Sequence, residues 1–326
     1  MATTVSRRSV VGLLAASGLS SLGLSSAQAE DTAILHLIVP TPPGGTNDGV
    51  ARALQQPLQK LLGRTVIVEY KPGAAGSVGS AFVARSKPDG NTLLLNNNAV
   101  LINPLISHDT GYTMADLTPI AVAAVSPMVL ISNAEVPVTD VKSLIAYANK
   151  QTRPLAYASA GGVGSLGHLA MESFASAAGI KLLHIPYTGG GPAQQAVTSG
   201  EVACVMTTLN AALKGQADAG RIRLLGVAAA KPSPLLPGVP TLGESVPGFA
   251  LDAWFGVLAP AKTDPEILAR IEQALTQALA APETRTLLTN IGVQASGMGS
   301  TAFQAMVSDE ARHWADVVRE RKITKE

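Results

Sequence analysis

Three glycine-rich segments contain the residues whose types and spacing could do chemistry. They are residues 40–48, 159–168 and 186–192, and each follows a short apolar run and precedes a helical pattern. In an open parallel sheet, ligands bind at the carboxyl ends of the strands, where the free N–H groups of the following helices point. None of the three segments contains Lys or Arg. The chemistry they predict is therefore anion binding by backbone N–H groups, helix dipoles and hydroxyls, without an ion pair.

The first segment reads Pro40-Thr41-Pro42-Pro43-Gly44-Gly45-Thr46-Asn47-Asp48. Its prolines stiffen the loop, its glycines let the backbone approach a ligand, and Thr46 or Asn47 can cap a helix that runs to Leu62. The alternative interpretation is a capped turn without a ligand. Two consecutive glycines beside polar residues favour a ligand loop. The residues predicted to bind are Pro43, Gly44, Gly45, Thr46 and Asp48.

The second segment contains a G-x-G-x-x-G motif from Gly162 to Gly167, between a predicted strand and a predicted helix. A dinucleotide-binding protein would carry Asp or Glu near position 187 to hold the ribose, and neither occurs there. We therefore predict an anion site with no cofactor, formed by Ser159, Gly164 and Ser165. His168 either donates a hydrogen bond to the ligand or packs in the interior.

The third segment offers the hydroxyl of Tyr187 beside Gly189, and we predict that both contact the ligand. Tyr187 can alternatively belong to the core, with its hydroxyl bonded to the backbone. Helix dipoles contribute about 0.3–1 kcal/mol each when exposed and up to about 2 kcal/mol when partly buried. Charge-assisted hydrogen bonds add about 1.5–3 kcal/mol apiece. Four or five such contacts reach micromolar affinity, which is about −8 kcal/mol.

Motifs of enzymes and metal sites are missing from the sequence. The segments closest to the nucleophile motif G-x-S-x-G, residues 163–167 and 75–79, lack its first glycine. H-E-x-x-H and Walker A motifs do not occur, and the five histidines are scattered. The one cysteine, Cys204, lies in an apolar run and is predicted to be a buried structural thiol. No catalytic residue and no metal ligand is therefore predicted.

The elements that must position these loops alternate between short apolar runs and helical patterns, which predicts an α/β fold with parallel sheets. The predicted strands are residues 34–39, 65–69, 92–95, 117–132, 155–158, 182–185, 202–207, 224–229 and 253–258. The long runs at 117–132 and 250–260 indicate strands that pass from one domain into another. The last third is helical, with helices expected from the capping box at 263–266, from Glu283, and from Ser300 as a cap. These helices have no further strand to serve, so we expect them to pack on the first domain.

Composition limits the class of partner. The 326 residues are 47% hydrophobic, 14% charged and 4% aromatic, with a net charge of +1. No basic stretch predicts nucleic-acid binding, and aromatic stacking platforms are scarce. Residues 1–29 read as a signal peptide, with Arg7-Arg8, an apolar stretch and an A-x-A site that ends at Ala29. Export to the periplasm is expected, by the general or the twin-arginine route.

Further short motifs follow one another along the chain. They include Lys71-Pro72-Gly73-Ala74-Ala75-Gly76, Lys87-Pro88-Asp89-Gly90, Tyr157-Ala158-Ser159, Val239-Pro240-Thr241 and Trp254-Phe255-Gly256. Together with the loop at 44–48, their order resembles the substrate-binding proteins of tripartite tricarboxylate transporters, the Bug-type periplasmic solute receptors. The resemblance covers essentially the whole chain after the predicted signal peptide.

The resemblance implies a periplasmic-binding-protein-like fold, with two α/β domains joined by two crossing segments and a ligand cleft between them. Domain 1 would comprise residues 30–129 and 253–326, and domain 2 residues 130–252. The resemblance adds Asn97, Asn98, Thr207 and Thr208 to the predicted ligand-binding residues. It implies a monomer that captures a small carboxylate and delivers it to integral membrane transporter subunits.

One departure from the family pattern removes a charge from the expected cleft, and a second, at Tyr70, is expected to lie outside the site. The family often has an Asp-Asn pair where Thr207 and Thr208 stand, and it usually has Asn where Tyr70 stands. Two other functions stay open from the sequence: a receptor that reports its ligand to a membrane sensor, and a periplasmic enzyme that acts on a carboxylate.

Overall fold

The computed structural model of the protein describes residues 34–107 and 109–324. The predicted signal peptide, residues 1–29, lies outside the described residues. Within the described ranges no helix is long and apolar enough to cross a membrane.

Strands and helices alternate along most of the described chain. The strands are β1 (Leu35–Val39), β2 (Val66–Tyr70), β3 (Thr92–Asn97), β4 (Leu117–Asn133), β5 (Leu155–Ala160), β6 (Leu182–Tyr187), β7 (Cys204–Thr208), β8 (Ile222–Val227), β9 (Asp252–Pro260) and β10 (Gln294–Gly299). The helices are α1 (Thr46–Leu62), α2 (Ser77–Ala84), α3 (Ala99–Ile106), α4 (Val141–Lys150), α5 (Leu166–Ala177), α6 (Gly190–Thr198), α7 (Ala211–Asp218), α8 (Pro265–Ala280), α9 (Pro282–Asn290) and α10 (Ser300–Arg321).

The strands form two groups that share β4. In the first group β2, β1 and β3 are parallel, β9 is antiparallel to β3 and to β4, and β10 is antiparallel to β4. In the second group β7 and β8 are antiparallel to β4, and β5 is parallel to both β7 and β6. β4 serves both groups because it is long: residues 117–127 pair with β9, and residues 128–133 pair with β7 and β8.

Apolar runs explain why these segments form buried strands. β1 contributes Leu35, Leu37, Ile38 and Val39, none of which has exposed surface. Such continuous burial is typical of a strand covered by helices on both faces. Helix α1 packs against α8 and α9, and α10 packs against α3 and α5. The C-terminal helices therefore contact mainly the first group of strands, with α10 reaching α5 of the second.

The sequence prediction missed β10. Its segment Gln294–Gly299 reads QASGMG and lacks alternating apolar residues, and Gly297 has a φ of +72°. Its pairing with β4 is irregular between Ala295 and Met298. Backbone pairing with β4, and not a pattern of side chains, therefore defines this strand.

The predicted helix caps need correction at three starts. Gly45 precedes α1 without any side-chain cap, so neither Thr46 nor Asn47 caps it. Asp264, not Thr263, caps α8 by accepting from the N–H of Glu266. At α10, Gly299 is the cap and Ser300 is the first helical residue; its N–H and hydroxyl both donate to Glu272, each at 2.8 Å. At the starts of α8 and α10, the carboxylates of Asp264 and Glu272 accept the backbone N–H that a Thr or Ser hydroxyl was predicted to accept.

The prediction of a buried thiol is confirmed. Cys204 begins β7 with no exposed surface, and burial raises the pKa of its thiol to about 12.

Tight packing around β9 gives a stability prediction. A Cβ added at Gly256 would lie 2.3 Å from Cζ of Phe303, and 3.1 Å from Trp254. Both aromatic residues are fully buried and pack edge to face. We expect Gly256→Ala to lower the free energy of unfolding by about 1–3 kcal/mol, as overpacked cores do. Urea unfolding monitored by circular dichroism measures this change.

The matched control is Gly215→Ala, in the exposed part of α7, where an added Cβ meets no atom within 4 Å. Because alanine favours a helix over glycine, this variant should be unchanged or stabilised by up to about 1 kcal/mol. Equal destabilisation of the two variants would show that backbone freedom, and not the packing of Phe303, sets the effect.

Candidate functional site

The carboxyl ends of the parallel strands bring the predicted loops to two edges. In the first group, β1 and β3 run in parallel, so the loop at 40–48 lies beside Asn97 at the end of β3. In the second group, Ala160 at the end of β5 pairs with Tyr187 at the end of β6, and the parallel β7 ends at Thr208. Each edge therefore collects the loops that the sequence predicted to bind a ligand.

One contact joins the two edges. The hydroxyl oxygens of Thr46 and Thr208 lie 3.5 Å apart. Thr46 starts helix α1 after the first glycine-rich loop, and Thr208 ends strand β7 in the second group. The start of α1 therefore faces the edge that carries the other two glycine-rich loops.

The glycine-rich loops before α1 and α5 are each held by a hydrogen bond from a glycine N–H to a side chain. The N–H of Gly44 donates to Oδ2 of Asp48 at 2.8 Å, and the N–H of Gly164 donates to Nδ1 of His168 at 3.1 Å. In each loop, a side chain four residues later accepts from a glycine. These two N–H groups are thus engaged, and the donors left for a ligand are those of the first helical turns, which have no carbonyl one turn earlier.

The glycines of the first loop differ in what they require. Gly44 has a φ of +89°, a conformation that residues with a Cβ rarely adopt. Gly45 has a φ of −91° and a ψ of 178°, which is extended backbone that other residues adopt easily. The backbone at Gly45 therefore also suits a residue with a branched Cβ. Gly44 is the position where backbone geometry demands glycine.

Asp48 is surrounded by donors. Its Oδ1 accepts from Nε of Arg52 and from the hydroxyl of Tyr70, both at 2.6 Å, in addition to the Gly44 bond at Oδ2. Burial alone would raise the pKa of Asp48, but the hydrogen bonds from Tyr70, Gly44 and Arg52 bring it below its ordinary value. Asp48 is therefore an ionised carboxylate whose charge is matched within the protein.

At the start of α5, Ser165 is the cap. Its Oγ accepts from the N–H of His168 at 3.3 Å, so the hydroxyl keeps its own proton for another acceptor. Because Nδ1 of His168 accepts from Gly164, that nitrogen carries no proton, and a neutral ring must hold its proton on Nε2. The loop thus presents hydrogen-bond donors without a positive charge.

Three aromatic rings stack behind this loop. The ring of His184 stacks on those of Tyr157 and His168, with centroid distances of 5.2 Å and 4.0 Å, and the rings of Tyr157 and His168 lie 6.4 Å apart. Burial lowers the pKa of His168 to about 4 and also lowers the pKa of His184. Nε2 of His184 lies 2.6 Å from Oγ of Ser159. His168 therefore packs in the interior, and its Nε2 is the atom left for a ligand.

Tyr157 of the stack bonds to Glu172, which forms an ion pair with Arg321 of the C-terminal helix α10. The hydroxyl of Tyr157 donates to Glu172 at 2.7 Å, and Arg321 of α10 donates to the other oxygen of the same carboxylate at 2.7 Å. Tyr157 is fully buried, and burial raises the pKa of its phenol. The residues behind the loop are thus positioned by α10 as well as by their own strands.

Other predicted residues are engaged elsewhere. Asn98 has no exposed surface, and its amide bonds to the backbone of Asp252 and Trp254 and to the carboxylate of Glu310. Tyr187 donates its hydroxyl to Glu201 at 2.7 Å, and its carbonyl accepts from Gly161. Oδ1 of Asn97 accepts from the N–H of Ala99. Thr207 is buried, and Pro43 is exposed. Gly189 is the residue before the first turn of α6. Ligand contacts by these residues stay predictions.

The sequence reasoning missed Arg52, Tyr70 and His184. Arg52 follows Asp48 by four residues on the same helix. This spacing predicts a salt bridge, so the pair could have been predicted from the sequence. Tyr70 and His184 reach the site from neighbouring strands, so their spacing in the sequence carries no signal. In the part of the chain that the structure describes, no three His, Cys, Asp or Glu residues gather as a metal site would require.

A sequence model of one family, described as "Tripartite tricarboxylate transporter family receptor", matches residues 50–323. The chain belongs to this family. Similar proteins include a UPF0065 protein in the tcbD-tcbE intergenic region of Pseudomonas sp. strain P51, 30% identical over 97% of this chain and 95% of that protein. Protein BugT of Bordetella pertussis is 32% identical over 88% of both chains.

Solved structures of the tripartite tricarboxylate receptor family share the fold. The periplasmic binding protein BugD is 30% identical and superposes with a TM-score of 0.79 over 90% of this chain and 99% of that one. Rpa4515 of R. palustris, solved with adipate, is 32% identical with a TM-score of 0.82 over 90% and 99%. MatC of Rhodopseudomonas palustris, solved with malate, is 29% identical with a TM-score of 0.76 over 87% and 98%.

The family and the periplasmic-binding-protein-like fold predicted from the sequence are therefore confirmed. The domain limits, residues 30–129 with 253–326 and residues 130–252, stay a prediction, as do the individual ligand-binding residues.

The buried histidine gives a pH prediction. The pKa of His168 is about 4 in the folded protein, against 6.5 for an unperturbed histidine, so between these values the unfolded chain binds a proton that the folded protein does not. The free energy of unfolding should therefore fall as the pH is lowered from about 6.5 to about 4, by about 3 kcal/mol from this residue. Urea unfolding at several pH values measures the loss.

The variant His168→Asn keeps an acceptor near the position of Nδ1 but does not titrate, so it should lose less stability over the same pH range. Part of the loss will remain, because burial also lowers the pKa of His184. His313→Asn, at an exposed site on α10, is the control and should keep the full pH dependence. A wild-type pH dependence in His168→Asn would contradict this assignment.

Proposed function

We propose that this protein is a periplasmic receptor that captures a small carboxylate and delivers it to a tripartite tricarboxylate-type membrane transporter. The observation that carries the proposal is the contact between Thr46 and Thr208, at 3.5 Å. It brings the start of α1 from the first group of strands to the edge that carries the start of α5 in the second. Two helix N-termini directed at one site make a favourable place for an anion.

The chemistry around this contact suits a carboxylate. The predicted ligand-binding residues contain several hydroxyls and glycines, no Lys or Arg, and one acid whose charge is already matched by Arg52. Family members solved with adipate and with malate support an organic acid as the ligand class. Four or five N–H and O–H donors are sufficient for micromolar affinity without an ion pair.

Delivery to a transporter rests on the family and on expected export. The N-terminal signal predicts the periplasm, and the family description supports membrane transporter subunits as partners. That the receptor is a monomer is part of the proposal. A role in sensing is the alternative. Deleting the gene separates the two: loss of growth on the bound acid indicates transport, and loss of gene induction with intact growth indicates sensing.

One observation favours an enzyme, the contact between Ser159 and His184. Their 2.6 Å separation is that of a nucleophile and its base. Ser159, however, has no exposed surface, and its hydroxyl also lies 3.3 Å from the carbonyl of Gly162. A hydroxyl without exposed surface is not placed to attack a substrate, so we favour a binding protein over an enzyme. A ligand contact by Ser159 stays a prediction. Turnover of any acid that binds, lost in Ser159→Ala, would establish the enzyme instead.

Binding by hydroxyls and helix termini predicts the effect of Ser165→Ala. The change removes one charge-assisted hydrogen bond, which should weaken the affinity for the best acid about ten- to a hundredfold. Isothermal titration calorimetry measures the affinity, after a thermal-shift screen of small carboxylates has selected the acid. Because the hydroxyl also caps α5, the variant should lose about 1 kcal/mol of stability and still fold.

Ser308→Ala is the matched control. Its hydroxyl donates to Gln304 on the exposed face of α10, outside the predicted site, so the affinity should not change. Thr46→Val tests the opposite edge in the same way. If both Ser165→Ala and Thr46→Val bind as tightly as the wild type, helix termini and hydroxyls do not hold the ligand.

Donors from both edges also predict a conformational change. Since neither group of strands supplies enough donors alone, a ligand should favour the state in which both contact it. Small-angle scattering with saturating acid should show a smaller radius of gyration than without it. An unchanged radius would argue against two domains that close, with limits near residues 130 and 252.

A further inference from the structure

Helix α10 contacts helices from both groups of strands. It packs against α3, which starts directly after Asn98, and against α5, which starts directly after Ser165. Asn98 and Ser165 are both predicted ligand-binding residues, one from each edge of the candidate site. Helix α10 therefore contacts two helices whose starts belong to opposite edges of the site.

Glu310 attaches α10 to the first group. Its Oε2 accepts from Nδ2 of Asn98 and from Nε1 of Trp254, both at 2.9 Å. Asn98 and Trp254 are buried, and Oδ1 of Asn98 accepts from the N–H of Trp254 at 3.1 Å. One carboxylate thus holds α10 on the residue that follows β3 and on a residue of β9.

Arg321 attaches the other end of α10 to the second group. Its Nε and Nη2 lie 2.9 Å and 2.7 Å from Oε2 of Glu172, on α5. Oε1 of the same carboxylate accepts from the hydroxyl of Tyr157, on β5. Only 13% of the Glu172 side chain and 27% of the Arg321 side chain are exposed, so water and salt screen this ion pair less than a surface pair. The pair therefore holds the end of α10 on α5 and β5.

The two attachments lie on one face of α10. Glu310 and Arg321 are about three turns apart, roughly 16 Å along the helix axis. Trp314 and Val317 occupy the same face between them, and both are buried. Ile323, just after the end of the helix, is buried as well. One continuous face of α10 thus extends from the first group to the second.

The ion pair of Arg321 with Glu172 and the contact between Thr46 and Thr208 belong to one conformation of the protein. In that conformation the edges that carry the starts of α1 and α5 approach each other. A movement that separates these edges turns α5 relative to the first group, while Glu310 keeps α10 with the first group. Because such a movement stretches or breaks the ion pair, the ion pair favours the conformation in which the edges meet.

We infer that Arg321 is a positioning residue for ligand binding, which acts through Glu172 to hold the start of α5 where both edges contact one carboxylate. Glu172 lies about two turns into α5, roughly 10 Å along the axis from Ser165, so its effect on the ligand is indirect. The inference rests on the proposed function, because it concerns the affinity of that same site.

Arg321→Gln tests the inference, because it removes the charge and keeps a side chain that forms hydrogen bonds. Calorimetry measures the affinities for a panel of dicarboxylic and hydroxy acids that includes malate and adipate. For every acid that binds the wild type, the variant should bind about two- to thirtyfold more weakly, since binding must then also bring α5 into place.

Arg319→Gln is the matched control. It removes the same charge from the same helix, but Arg319 pairs with Asp316 of α10 itself, at an exposed position. Its affinities should equal those of the wild type. Arg321→Lys keeps the charge at the critical position and should bind more tightly than Arg321→Gln.

The partner residue allows a double-mutant cycle. Glu172→Gln keeps an acceptor for the hydroxyl of Tyr157 and should weaken binding as much as Arg321→Gln, which it replaces in the test if that variant does not fold. Because the two residues act as a pair, the double variant should bind no more than about twofold more weakly than either single variant. Losses that multiply in the double variant would show that the residues act separately and would overturn the inference.

A purely structural role of the ion pair predicts a different result. It would lower the free energy of unfolding in urea and leave the affinities of the folded variants unchanged. Wild-type or tighter affinity in a folded Arg321→Gln variant therefore overturns the inference and leaves the proposed function standing. Failure of every acid of the panel to bind the wild-type protein would overturn the proposed function and the inference together.

Discussion

The backbone pairing along β4 is the constraint on which the rest of the structure depends. This one strand pairs through residues 117–127 with β9 and through residues 128–133 with β7 and β8. Nearly every side chain along it is buried, so its register cannot slip without exposing apolar surface. The strands of each edge are therefore held in register on their own part of β4, and the hydroxyls of Thr46 and Thr208 meet where the two edges approach each other.

The site itself is organised by polar groups that bond to the protein first. Asp48 and His168 each accept a glycine N–H four residues earlier, so both loops are shaped before any ligand arrives. Such preorganisation lowers the entropic cost of binding. The electrostatic balance is also internal, since Arg52 matches Asp48 and Arg321 matches Glu172. What remains for a ligand is a set of neutral donors.

Much of this architecture is readable from the sequence. Nine apolar runs predict nine of the ten strands found within residues 34–107 and 109–324, because strands buried on both faces leave a continuous apolar signal. The glycine-rich loops could be predicted because each lies between an apolar run and a helical pattern. β10 was not predicted because its sequence contains two glycines and no alternating apolar residues, so its pairing with β4 leaves no strand pattern. The roles of Tyr70 and His184 could not be predicted, because their contacts depend on which strands become neighbours. Local sequence patterns carry no information on that pairing.

The shared strand also constrains how the chain can fold during synthesis. The inner part of β4, around Val122, pairs with β9 and β10, and these strands comprise residues 252–260 and 294–299. A nascent chain therefore carries a long apolar strand with open backbone edges until almost the whole polypeptide has left the ribosome. Unpaired strand edges of this kind recruit other chains and aggregate. Truncated or stalled chains should consequently depend on chaperones far more than the finished protein does.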